Sequence, residues 1–160
     1  MICAHGALWS PMEHFKRGHS FEIGVPVIDE QHRGLFSSVE GAFTILKAGN
    51  KLHELSPQLR LIAQGARVHF KFEEDLMEKY ADPTVQVHRD EHTSLMAQLR
   101  RLKRRNLSAL RPLQSEQISS FLFEWLTEHI CTHDRKMADH LNLVGATEAQ
   151  TSTTITGNQS

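Results

Sequence analysis

Histidine and carboxylate side chains recur along this sequence at spacings that place them on one face of a helix. Eleven of the 160 residues are histidine. His69 and Glu73 are four residues apart, as are His88 and His92, which aligns each pair on a helical face. Imidazole and carboxylate groups bind metals, and histidine is the commonest protein ligand. The pattern predicts metal-binding chemistry, although either pair alone also arises by chance on solvated faces.

The elements that must position these side chains are four amphipathic helices. Apolar residues recur with a period of about 3.6 residues over residues 29–47, 56–80, 83–105 and 115–143. Helices of this length joined by short loops are typical of a bundle. We therefore predict an all-α fold, an up-down-up-down antiparallel four-helix bundle with an irregular N-terminal arm. The expected division is an N-terminal extension at 1–20, the bundle at 21–143 and a disordered polar tail at 144–160.

The bundle order brings the inward-facing histidines of all four helices to one level. The first and third helices carry theirs near the start, whereas the second and fourth carry theirs past the middle. Because neighbouring helices run in opposite directions, these positions meet at the same end of the bundle. Burying such polar groups without partners would be costly, whereas metal coordination satisfies them together. The residues are His32, His69, Glu73, His88, His92 and His129.

A further ligand in the fourth helix is ambiguous when only the residues are considered. The segment from His129 to Asp134 reads HICTHD. His133, four residues after His129, suits an ideal helix, whereas Asp134 is rotated by about 140° at 3.6 residues per turn. Charge favours Asp134, because a second carboxylate would bridge and neutralise two cations.

These motifs together resemble the hemerythrin family, in particular its bacterial single-domain form. The matching segments are DEQH at 29–32, HFKFEE at 69–74, HRDEH at 88–92, and WLTEHI at 125–130 followed by Asp134. The resemblance spans about residues 21–141 and fills every ligand position of the family. It implies Asp134 rather than His133 as the ligand. The helix is then expected to be locally wide there, with a π-type bulge.

The resemblance also implies a cofactor and a function. The cofactor would be a non-haem di-iron centre with an oxo or hydroxo bridge. Dioxygen would bind reversibly at a five-coordinate iron. An oxygen storage or delivery protein is therefore favoured over an enzyme. Two alternatives stay open, namely an oxygen or redox sensor acting through a partner, and a di-iron peroxidase or iron-handling activity. The implied ligands are His88, His92 and His129 for one iron, His32 and His69 for the five-coordinate iron, and Glu73 and Asp134 as bridges.

An apolar pocket would keep water and protons away from the open coordination position. The resemblance places Leu126, three residues before His129, in that pocket. Trp125, Phe70, Leu35 and Met96 are further candidates for its walls, and plain core packing would explain these four equally well.

Composition excludes several other classes of function. With 18 Lys and Arg against 19 Asp and Glu, the chain has no global field for nucleic acid or an anionic membrane. No apolar run is long enough for a transmembrane helix, and no signal-peptide pattern is present, so a cytoplasmic location is expected. Dioxygen is the expected partner, and no protein partner is indicated. No site role is predicted for the basic run at 100–105 or for His5, His14, His19, His53 and His140.

Overall fold

The computed structural model describes residues 21–49, 52–104, 110 and 112–146. Helix α1 spans Pro26–Ala48, α2 Leu55–Lys79, α3 Val85–Lys103, α4 Pro112–His129 and α5 Arg135–Leu143. A 3₁₀ turn at Leu52–Glu54 precedes α2. A π-helical segment at Ile130–Asp134 joins α4 to α5 without a break. No strand occurs within these ranges.

The helices pack as an antiparallel four-helix bundle, which confirms the predicted fold class. The first three helices are α1, α2 and α3, and the fourth is the continuous run of α4, the π segment and α5. The predicted N-terminal extension at 1–20 lies outside the described residues, as does the predicted tail from residue 147 onward. The division of the chain into these three parts stays a prediction.

The segment before α1 is fastened to the bundle by one buried carboxylate. The Asp29 side chain accepts hydrogen bonds from the backbone N–H groups of Ile23, at 2.8 Å, and Gly24, at 3.1 Å. Helix α1 begins at Pro26, earlier than the predicted residue 29, because proline suits the first helical turn. Asp29 therefore lies inside the first turn, where its charge also matches the helix dipole.

The core is built from apolar residues on the inward faces of all the helices. Ile28, Leu59, Leu99 and Leu122 are fully buried, as their positions in the 3.6-residue pattern require. The Trp125 indole N–H donates a hydrogen bond to the backbone oxygen of Leu95 at 3.1 Å and ties α4 to α3. No helix of the described ranges is long and apolar enough to cross a membrane.

Candidate metal centre

Every helix of the bundle sends side chains to one buried cluster of five histidines and two carboxylates. None of the seven residues is more than 3% exposed. Helix α1 contributes one residue, α2 and α3 two each, and α4 and the π segment one each. The structure thus brings together all the side chains predicted as ligands, namely His32, His69, Glu73, His88, His92, His129 and Asp134.

The cluster divides into two halves that share both carboxylates. We call His88, His92 and His129 the three-histidine half, and His32 and His69 the two-histidine half. Within each half, the ligand atoms of the histidines, Glu73 and Asp134 all lie within 4.8 Å of one another. The arrangement offers five protein ligands on one side and four on the other, with two ligands common to both.

Each carboxylate directs one oxygen to each half. Glu73 Oε1 lies 3.5 Å from His69 Nε2, whereas its Oε2 lies 3.2 Å from His92 Nε2. Asp134 Oδ2 lies 3.1 Å from His32 Nε2, whereas its Oδ1 lies 3.0 Å from His129 Nε2. Two oxygens of one carboxylate on different sides are what a bridging ligand requires, so the cluster is fit for two metal ions.

The buried polar atoms of the cluster point to cation binding as well. Both oxygens of Glu73, Oδ1 of Asp134, and the Nε2 atoms of His69 and His88 have no hydrogen-bond partner among the described residues. A buried acceptor without a partner is costly. Metal coordination would satisfy all of these atoms together, which a purely structural cluster would not do.

The π-helical segment explains how Asp134 reaches the cluster. In an α-helix Asp134 would point about 140° away from His129, but the wider turn at Ile130–Asp134 returns it to the same side. Asp134 is fully buried, whereas His133 is half-buried and its ring stacks on that of His129 at 5.5 Å. The predicted π bulge is confirmed, and its effect is to bring a carboxylate into the cluster.

Charge within the cluster is divided unequally among the histidines. Burial opposes protonation of His88 and His129, but contacts with Asp134 and Glu73 outweigh it and raise the pKa of His88 to about 9 and of His129 to about 10. Burial lowers the pKa of His69 to about 4, despite the nearby carboxylates. Burial would raise the pKa values of Glu73 and Asp134, yet the surrounding histidines hold both below their ordinary values.

One aromatic side chain, Phe70, lies directly against the cluster. The Phe70 ring stacks on His92 with centroids 3.8 Å apart, and lies 5.4 Å from His129. The Trp125 ring is 6.4 Å from Phe70. All five predicted pocket residues are buried in the bundle, and the pocket role stays a prediction for Leu126, Trp125, Phe70, Leu35 and Met96.

Sequence reasoning assigned no role to the residues that contact the outer nitrogens of the ligands. Gln31 Oε1 lies 3.0 Å from His69 Nδ1, and Glu74 Oε1 lies 2.8 Å from His92 Nδ1. Arg89 donates from Nε to Glu74 Oε2 at 3.3 Å. Gln31 and Glu74 stand next to predicted ligands in the sequence, and that adjacency was the one signal available.

The remaining histidines lie away from the cluster or outside the described residues. His140 Nε2 is 3.0 Å from the backbone oxygen of Tyr80, which links α5 to the end of α2. The side chain of His53 is 77% exposed. His5, His14 and His19 fall outside the described ranges.

Known proteins give an independent account of the same chain. A model of the hemerythrin HHE cation binding domain matches residues 23–141. The bacteriohemerythrin of Clostridium acetobutylicum is 25% identical over 122 residues, which cover 74% of this chain and 95% of that protein. The bacteriohemerythrin of Stenotrophomonas maltophilia is 29% identical over 133 residues, covering 75% and 79%. That of Methylococcus capsulatus is 27% identical over 115 residues, covering 72% and 86%.

No solved structure gives a significant match to the chain. The family model covers the whole span from Ile23 to Leu141, which includes all seven residues of the cluster. The chain therefore belongs to the hemerythrin HHE cation-binding domain family.

Proposed function

We propose that this protein binds dioxygen reversibly at a non-haem di-iron centre in the buried cluster, and thereby stores or delivers oxygen. The observation that carries the proposal is the division of Glu73 and Asp134 between the two halves. Each carboxylate has one oxygen near each group of histidines. That geometry supports a pair of ions held by shared ligands, as in other bundle proteins with metals in the core.

The ligand balance supports iron that cycles between oxidation states. Two ferrous ions would supply the two electrons on which reversible dioxygen binding draws. Five imidazoles and only two carboxylates leave the centre net positive, which keeps the ferrous state accessible. Imidazole and carboxylate together suit iron. His88, His92 and His129 would hold one ion, His32 and His69 the other, and Glu73 and Asp134 would bridge them.

The unequal halves indicate where a small ligand would enter. The three-histidine half offers five protein ligands, whereas the two-histidine half offers four. Both halves share the same two carboxylates. A metal ion in the two-histidine half would therefore have one more open coordination position than an ion in the three-histidine half. We place dioxygen binding there, beside His32 and His69.

The burial around the cluster supports reversible binding over oxidative turnover. Phe70 covers His92, and Leu126 and Trp125 are 3% and 4% exposed. An apolar lining excludes water and protons, whose entry would promote irreversible oxidation. The proposal therefore makes the protein an oxygen-binding protein rather than an enzyme, in the cytoplasmic location expected from the sequence.

The experiment is an optical cycle on iron-loaded protein. Iron per chain is first measured, and spectra are then recorded after anaerobic reduction, after oxygen exposure and after oxygen removal. We expect two irons per chain and a visible absorption that appears with oxygen and disappears when oxygen is removed. Absorption that persists after removal contradicts reversible binding and favours the redox sensor or peroxidase-like alternative.

A further inference from the structure

The two halves of the cluster differ in what holds their histidines from outside. In the three-histidine half, His92 Nδ1 faces Glu74 Oε1 at 2.8 Å. In the two-histidine half, His69 Nδ1 faces the amide oxygen of Gln31 at 3.0 Å. Because Nε2 of each ring points into the cluster, Nδ1–H is the donor in both contacts. One half is thus backed by an anion and the other by a neutral group.

The carboxylate of Glu74 is itself held in place. Arg89 donates from Nε to Glu74 Oε2 at 3.3 Å and also pairs with Glu78. The Glu74 side chain is 21% exposed, against 55% for Glu78. Glu74 therefore presents one oxygen to His92 and the other to Arg89, an orientation that fixes the plane of the imidazole.

Two other histidines of the cluster have no such support among the described residues. His32 Nδ1 and His129 Nδ1 are buried without a hydrogen-bond partner there. Glu74, by contrast, is a carboxylate outside the cluster that contacts the outer nitrogen of His92. An imidazole that donates to a carboxylate is a stronger electron donor at its other nitrogen and is fixed in one tautomer.

We propose that Glu74 is a positioning residue that makes the three-histidine half the tighter metal site, and that Gln31 is its weaker, neutral counterpart in the two-histidine half. The proposal rests on the di-metal site of the proposed function but not on oxygen binding. It predicts two distinct binding steps for a metal without redox chemistry. The first step fills the half backed by Glu74.

Zn²⁺ titration against a chromophoric chelator tests the proposal, with both binding steps resolved. Glu74→Gln keeps an acceptor for His92 but removes the charge. We expect it to weaken the tighter step by about 10- to 100-fold, as loss of such an outer partner does elsewhere, and to change the other step much less. Glu78→Gln is the matched control, because it removes the same charge beside the same arginine without touching a histidine.

Gln31→Glu gives the reciprocal test in case Glu74→Gln does not fold. It places a carboxylate behind His69 and should tighten the weaker step, which narrows the gap between the two. The unfolding temperatures of the metal-free variants are also compared. A merely structural role of Glu74 would lower the unfolding temperature without changing the ratio of the two zinc dissociation constants.

Three results would overturn the proposal. Glu74→Gln could leave both steps unchanged, it could weaken them equally, or it could do no more than Glu78→Gln. The proposed function can fail separately, because an iron-loaded protein that never binds oxygen reversibly can still show the expected zinc steps. The zinc titration therefore tests the role of Glu74, whereas the optical cycle on iron-loaded protein tests oxygen binding.

Discussion

Asp134 and Glu73 differ from the other cluster residues because each carboxylate carries two ligand atoms and can contact two ions. Asp134 is the sharper case, since its neighbour His133 suits an ideal helix better. We expect Asp134→Ala to lower the iron content from two per chain to one or none, because it removes a shared ligand. His133→Ala should retain both, since this side chain is only half-buried.

Metal content after dialysis, measured for both variants and the parent, checks this prediction. Loss of iron in His133→Ala together with retention in Asp134→Ala would contradict the assignment of the ligand.

Leu126 is another single residue with a large expected effect, because its side chain is expected to close the pocket beside the centre. Leu126→Ala should speed autoxidation of the oxygenated protein by admitting water to the centre. It should also destabilise the fold by about 2–5 kcal/mol, the range for such truncations. Leu99→Ala, at an equally buried position seven residues beyond His92, is the control for lost packing alone. Equal autoxidation rates in the two variants would remove Leu126 from the gating role.

Protonation of His88 and His129 should govern the pH dependence of metal binding. His88 and His129 have pKa values raised to about 9 and about 10, so both are protonated at pH 7, whereas His69, lowered to about 4, is neutral. A metal can bind only the deprotonated rings. Binding at pH 7 should therefore release the protons of His88 and His129, and metal affinity should rise with pH as these two rings lose their protons.

An indicator dye in weak buffer, read while Zn²⁺ is added, measures the released protons. A titration at pH 7 with no proton release would contradict the protonation of His88 and His129.

At the scale of elements, the π segment is the feature that sets the register of the fourth helix. The π turn holds one more residue than an α-helical turn. Asp134, five positions after His129, therefore lies on the face that the fourth position would occupy in an α-helix. Deleting Thr132, which is exposed, should convert the turn to α-helix and leave His129 and the carboxylate on the same face. We expect such a deletion to retain two bound metal ions per chain.

Deleting Glu124, an exposed residue in regular α4, is the matched control. It rotates every following ligand by about 100° relative to the residues before it and should abolish metal binding. Equal metal content in the two deletions would contradict this account of the π segment.

The helices were predictable from sequence more accurately than their ends. The apolar period identified all four helices of the bundle, since burial of one face requires it. The start of α1 at Pro26 was missed, although proline suits a first helical turn, because the apolar period begins only at Ile28 and does not show that Asp29 binds the backbone of Ile23 and Gly24. The cluster followed from spacing for six residues, whereas Asp134 needed a family resemblance because helical periodicity argues against it.

The outer contacts could not be predicted in the same way. Gln31 lies on α1 and its partner His69 on α2, and Glu74 lies on α2 with its partner His92 on α3. Periodicity describes which residues share a face within one helix. It does not tell which side chain at the edge of that face reaches the neighbouring helix, because this depends on the angle and offset between them.

At the scale of the whole molecule, the bundle turns four separate sequence motifs into one asymmetric centre. Antiparallel order brings the start of α3 beside the later part of α2 and the end of α4, so three histidines converge on one side. Only α1 and α2 supply histidines to the other. We therefore infer that one chain holds two metal ions in unequal surroundings, bridged by Glu73 and Asp134.

The Mössbauer spectrum of the protein loaded with iron-57 tests that claim most directly, read together with the iron content per chain. We predict two irons per chain and, in the oxygen-exposed form, two components of equal area with different quadrupole splittings, one for each half. One iron per chain, or two irons in a single component, would contradict it.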